Sequence, residues 1–336
     1  MTALLDWTAL RDELATPGCT ESYSPLKGAA FLAVDLLRFP AEAPDAEVTA
    51  VVGALASLPC PTIGVGAGEE FGATRRVADA LDVVVADHAA LAILATAIEA
   101  SPLAAQSLVQ LLRTSGALAV HAGLWAESWV YSTLQSGDEF RRWLAARPER
   151  SLPGPGASVR VERDRGRLEI WLARPERRNA FSRGMRDELC EALQLAVMDE
   201  TLGSVCLRGE GRAFCSGGDL AEFGTTPDPA TAHAIRATRH PGRLLHQLHG
   251  RLEVTVHGAC VGAGVELPAF AGRVVARRDA TFRLPELSMG LVPGAGGTVS
   301  LPRRIGRQRT AWLALSGVAL DAATALSWGL VDAIVD

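Results

Sequence analysis

The chain has 336 residues, 48% of them hydrophobic and 21% charged, and carries a net charge of −5. That length suits two modest domains, the composition supplies ample core, and scattered arginines balanced by acids form no basic run of the kind a nucleic-acid binder carries. No apolar run is long enough to cross a bilayer, and the opening MTALLDWTALRDEL is an acidic amphipathic segment rather than a signal peptide. A cytoplasmic protein with no membrane or nucleic-acid partner is therefore expected. Cys19, Cys60, Cys190, Cys206, Cys215 and Cys260 show no metal-ligand spacing and read as buried, reduced thiols. Lys27 is the only lysine, so any phosphate-binding cation has to be an arginine.

In chain order, GAAFLAVDLL (28–37), LPCPTIGVG (58–66) and LDVVVAD (81–87) read as short buried strands separated by helical stretches. From Ala89 to Arg147 the pattern is helical, with apolar residues at three-to-four spacing. RPERSLPGPGAS (147–158) holds two Pro-Gly pairs and reads as a linker, dividing a domain over 1–150 from one over 158–336. Beyond it, SVRVERD and RLEIWLA pair as strands, and a helix follows from Arg183 to Met198. Strand SVCLRG, a helix around 231–249, strands LEVTVHG and RVVARRD, and a helix after VPGAGG complete an α/β pattern.

Three segments of the second half carry chemistry. RAFCSGGDL (212–220) leaves a buried strand for a Gly-Gly loop, where the backbone can approach a ligand with its N–H groups. HGACVGAGVELPAF (257–270) makes the same transition and opens a short helix, whose first N–H groups are unpaired. Two such amides converging from separate loops form an oxyanion hole. FRLPELSMGLVPGAGG (282–297) places Glu286 in an otherwise apolar run. Each segment alone is weak, since a lone Glu at a helix start is most often a cap; their order and spacing together are specific.

Residues 158–336 resemble the crotonase (enoyl-CoA hydratase/isomerase) superfamily nearly end to end, beginning with RPERRNAFS (174–182). The resemblance implies a spiral ββα core. It puts the two oxyanion amides on Gly218 and Ala263 and the two acid-base glutamates on Glu266 and Glu286. It also places Ala213, Phe214, Ser216, Gly217, Asp219, Leu220, Gly262, Pro293 and Gly294 against the substrate. Ala263 stands where many members have Gly, which is tolerated if its φ is negative, and Pro268 soon after Glu266 is uncommon. The implied substrate is an acyl-CoA or acyl-carrier thioester, with no cofactor or metal, in a homotrimer or hexamer.

In the family the last strand is followed by a helical tail that covers the acyl pocket and builds the oligomer, whereas GLVDAIVD here closes the sequence. A similar pattern stands upstream, in HAALAILATAIEASPLAAQSLVQLLRTS and GLWAESWVYSTLQSGDEFRRWLAARPE, the second with a Glu-bearing helix. Residues 26–150 thus resemble a truncated crotonase that has kept its tail; an unrelated α/β module with helical hairpins is the other reading. The helices of 89–147 are expected to pack on the catalytic core. Two glutamates imply hydration of an enoyl thioester or its reverse. A Δ3,Δ2-enoyl-CoA isomerase, another crotonase chemistry, or an acyl-CoA-binding partner without turnover would use the same fold.

Overall fold

The computed structural model describes residues 4–26, 28–40, 42–66, 72–148, 151, 154 and 156–336. Lys27 and much of the 147–158 linker lie outside the described residues.

The first half builds a three-stranded parallel sheet from β1 (Leu32–Asp35), β2 (Thr62–Val65) and β3 (Val83–Val85), in that order. Successive side chains of a strand point to opposite faces, and here the two faces enter different cores. Leu32 and Val34 join a small cluster with Trp7, Leu10, Val48 and Leu55. Phe31, Ala33, Ile63 and Val65 join a much larger cluster that runs through the helices after β3 and on into the second half. The helical stretch resolves into His88–Ala100, Pro102–Ser115, Val120–Gln135 and Asp138–Ala146. Among the described residues no single helix is long and apolar enough to cross a membrane.

The second half opens with the hairpin β4 (Val159–Asp164) and β5 (Arg167–Leu172). β6 (Ser204–Gly209), β7 (Leu252–Val256) and β9 (Arg273–Arg277) add in parallel, and β12 (Ala333–Val335) ends a six-stranded sheet. A second sheet, absent from the sequence reading, joins β8 (Ala259–Val261), β10 (Thr281–Arg283) and β11 (Leu320–Asp321). The Arg183–Met198 helix has the expected bounds, capped by Ser182 Oγ, which accepts from the Met185 amide at 3.2 Å. The helix expected around 231–249 is instead two, Pro229–Thr238 and Pro241–Gln247, because Pro241 cannot continue the first and starts the second.

A buried ionic clamp fastens the halves together. Asp82, 1% exposed, accepts from Arg113 at 2.5 Å and from Arg307 at 2.9 Å. Arg113 also donates to the carbonyls of Leu58 and Cys60, and Arg307 to that of Leu81. One carboxylate thereby holds the small sheet, a helix of the first half and a helix of the second.

Candidate active site

The RPERRNAFS segment shapes the first loop. Arg178 and Asn179 both take positive φ, 51° and 53°. Asn179 is fully buried, its amide nitrogen donating to the carbonyls of Glu210 and Ala213 at 2.9 Å and its oxygen accepting from the Arg174 amide. All its polar atoms are thus satisfied and the strand end is pinned. The Phe181 amide then donates to Gly217 O and the Asp219 amide to Phe181 O, while the Val261 amide donates to Cys215 O. The first loop and β8 are laced edge to edge. Among the described residues, the amides of Gly218 and Ala263 donate to no other group, and both residues line one cavity of about 380 Å³. Ala263 is not among the residues of positive φ, as its tolerance required.

Glu266 ends the four-residue helix Ala263–Glu266, and Glu286 begins the 3-10 turn Glu286–Met289. Their carboxylates converge beside Gly262. A Cβ at that position would stand 2.5 Å from Glu286 Oε1 and 3.8 Å from Glu266 Oε1. Its φ of 50° with ψ of −116° also calls for glycine. Glu266 Oε2 accepts from the amides of Ala295 and Gly297 at 2.7 and 2.8 Å. Among the described residues, Glu286 Oε2 is buried without a partner. Burial pushes Glu286 up to about 8. It also carries Glu266 well above the ordinary carboxylate range, helped by the neighbouring charges of Glu286 and Glu127. Both carboxyls are raised; when the pair loses one proton, two amide donors on Glu266, against only its own backbone amide on Glu286, favour the negative charge on Glu266.

The first half contributes directly. Glu127, 1% exposed on the Val120–Gln135 helix, accepts from the Gly296 amide at 2.7 Å, the Thr298 amide at 2.9 Å and Thr298 Oγ1 at 2.7 Å. It thereby caps the Gly297–Ile305 helix and fixes the loop whose amides hold Glu266. Tyr131, one turn on, lies so close over Gly294 that a Cβ there would overlap its ring. Glu139 and Phe140 abut Gly290, and Arg147 donates to the carbonyls of Leu220 and Phe223. The third chemical segment is thus braced by residues from before the linker, and the end of the first by Arg147 at the linker's start. The expected packing of 89–147 on the core is present within one chain.

Of the residues expected at the substrate, Ser216, Gly217, Leu220 and Gly294 line the cavity with Gly218, Ala263 and both glutamates. Gly262 stands behind the carboxylates, and Pro293 packs near Gly297. Ala213 and Phe214 do not reach the cavity; they are 2% and 1% exposed, pinned inward because the Phe214 amide donates to His257 O. Asp219 is turned away as well, pairing with Arg174 and Arg177 and capping the Ala221 amide. Sequence reasoning missed Arg236 and Tyr131 on the cavity wall. The only hint was the likeness of the upstream helices to a family tail. Among the described residues no group of His, Cys, Asp and Glu could hold a metal ion.

The profile of the enoyl-CoA hydratase/isomerase family matches residues 162–336. The chain belongs to that family. It is 36% identical over 177 residues to the 1,2-epoxyphenylacetyl-CoA isomerase of Escherichia coli, covering 52% of this chain and 68% of that protein. It is 34% identical over 172 residues to the 2,3-dehydroadipyl-CoA hydratase of the same organism, covering 51% and 67%. Two further relatives are covered for 64% of their length. A solved enoyl-CoA hydratase subunit from Geobacillus kaustophilus superposes with a TM-score of 0.50 at 31% identity, over 53% of this chain and 69% of that one. The crotonase fold of the second half is therefore established, and the matched family profile begins after the linker.

The raised carboxyls of this crotonase site set a pH dependence of stability. Unfolded, Glu286 titrates near 4.5 and folded near 8, so between these values the native state keeps a proton the unfolded chain has lost. Stability then falls as pH rises through that range. Glu127, pushed up to about 7 by burial, acts in the same direction. Buried His240, held down at about 4, acts oppositely, but only below about 6.5. Between pH 6.5 and 8 the unfolding temperature should therefore drop, and Glu286→Gln should drop less. Thermal melts across this window check it; a melting temperature that rises with pH would contradict the burial of these carboxyls.

Proposed function

We propose that this crotonase adds water across the α,β double bond of an enoyl thioester, or removes it in reverse. The observation that carries the reading is the pair of buried carboxyls converging beside Gly262, one anchored by two amides and one with an oxygen free of partners. Glu266, as carboxylate, takes a proton from a water held between the pair, and the water oxygen bonds to C3. The electron pair of the double bond moves onto the thioester oxygen, where the Gly218 and Ala263 amides stabilise the charge. Glu286 then delivers its proton to C2, leaving the pair with one proton, now on Glu266.

The carrier has a separate path. A shallower depression beside Arg177 and Arg178 shares Ser216, Gly218 and Leu220 with the cavity. A thioester at Gly218 would place its carrier over these arginines and its acyl group in the cavity. Incubating the protein with enoyl- and 3-hydroxyacyl thioesters of CoA and of acyl-carrier protein in ¹⁸O-water, read by mass spectrometry, tests the reading. Gain of one labelled water by the enoyl thioester, or loss of one unlabelled water from the 3-hydroxyacyl thioester, is expected. A shift of the double bond without mass change would mean isomerisation, and tight binding without turnover would mean a non-catalytic partner; either result overturns hydration.

A further inference from the structure

If a thioester sits at Gly218 as proposed above, its acyl group runs away from Arg177 and Arg178 into the cavity, and the wall it meets there is unusually cationic. Arg183, Arg186, Arg236, Arg239 and Arg283 all line it, Arg283 donating from Nε to the Gly317 carbonyl with its charge acting on Glu286 at the catalytic end. Three of these are neutralised: Arg183 by Glu222 at 3.6 Å, Arg186 by Asp187 at 2.8 Å, and Arg239 by Asp187 and Glu191 at 3.6 and 3.3 Å. Arg236 has no carboxylate partner among the described residues. Its contacts are neutral: Ser128 Oγ at 3.1 Å, Ser132 Oγ at 2.5 Å, Gln135 Oε1 and Ser128 O at 3.5 Å, and the Tyr131 ring 4.7 Å from its Cζ.

These neighbours hold the guanidinium in one plane without cancelling its charge. Nε and Nη2 are engaged, whereas Nη1 has only the 3.5 Å contact to Gln135. Tyr131 brings the group close to the chemistry, since the same ring covers Gly294, next to the amide that anchors Glu266. A plain alkyl chain in this cavity would strip water from the cation and offer nothing in return. An oxyanion at the end of the acyl chain would instead take a charge-assisted hydrogen bond from Nη1.

We propose that the acyl group accepted here ends in a carboxylate, and that Arg236 is the residue that selects it. This rests on the thioester reading, so the test separates the two. The wild-type protein is given CoA thioesters of trans-2-enedioic acids of five to eight carbons, each beside its terminal methyl ester, for turnover. The saturated counterparts are used for equilibrium binding, which needs no chemistry. At one length or more the free acid should exceed its ester in kcat/KM and affinity by about 30-fold, the change expected when one partner of a buried charge pair is removed. Arg236→Met should bring that acid-to-ester ratio, read within the variant itself, close to one, and Arg236→Lys should keep part of it. If Arg236→Met proves unstable, the wild-type ratio and the lysine variant decide.

Esters handled as well as acids at every length would overturn the selection of a carboxylate while leaving the thioester reading intact. A preference that survives Arg236→Met would remove Arg236 from the role. Weaker binding of free CoA to Arg236→Met would overturn the inference by assigning the arginine to the carrier's phosphates. No binding of any thioester, acid or ester, would remove the thioester reading and this inference with it.

Discussion

Glu266→Gln and Glu286→Gln should each lower hydration turnover by about 10²–10⁴-fold, the usual contribution of a positioned acid or base, while thioester affinity changes little. The geometry makes the substitutions clean. In Glu266→Gln the side-chain carbonyl oxygen can stay on the Ala295 and Gly297 amides, so charge is lost but not position. Glu286→Gln replaces a carboxyl that is already largely protonated at neutral pH, so the fold loses no charge there and only the deliverable proton disappears. Steady-state kinetics with binding measured on a saturated thioester separates the two effects. If either variant kept turnover within tenfold of wild type, the two-carboxyl mechanism would be wrong.

The second large effect concerns the halves. Residues 158–336 expressed alone should be insoluble or inactive. Without the first half the amides of Gly296 and Thr298 lose Glu127, Asp82 no longer pairs Arg307, and the core loses Leu108, Leu112 and Leu124. Uncovering several hundred Å² of apolar surface at roughly 25 cal/mol per Å² costs many kcal/mol, against a domain stability of about 5–15 kcal/mol. Co-expression with residues 1–157 should restore soluble, active protein. A fragment that is soluble, melts cooperatively and turns over at the full rate would show that the helices of 89–147 are dispensable.

Much of this arrangement was legible from local chemistry. The Arg183–Met198 helix announces itself through Ser182 as cap and a regular apolar stripe, and the glycine loops through their place after apolar strands. Glu266 and Glu286 were reached through the family resemblance of short, continuous segments, and the structure brings their carboxylates together beside Gly262. The wall of the cavity was not legible. Arg236 and Tyr131 meet across more than a hundred positions of sequence, and nothing near either one points to the other. Ala213 and Phe214, placed against the substrate by the resemblance, stand outside the cavity lining, their loop held inward by the Phe214 amide on His257 O. Pro241 was a readable signal passed over, a helix start inside a helical pattern.

The bonds from Glu127 to Gly296 and Thr298 span 169 and 171 positions. Contacts of such sequence separation close a very long loop and form late in folding. The loop that seats Glu266 is set by one of the last contacts the chain can make. A collapsed intermediate in which each half has its own secondary structure would still have a misaligned acid-base pair. During synthesis, the first half leaves the ribosome before the Gly297–Ile305 helix, against which Gly123 and Leu124 pack, has been made. Seating of Glu266 therefore requires docking of the halves, and recovery of turnover after denaturation is expected to follow that docking rather than the growth of helix or sheet.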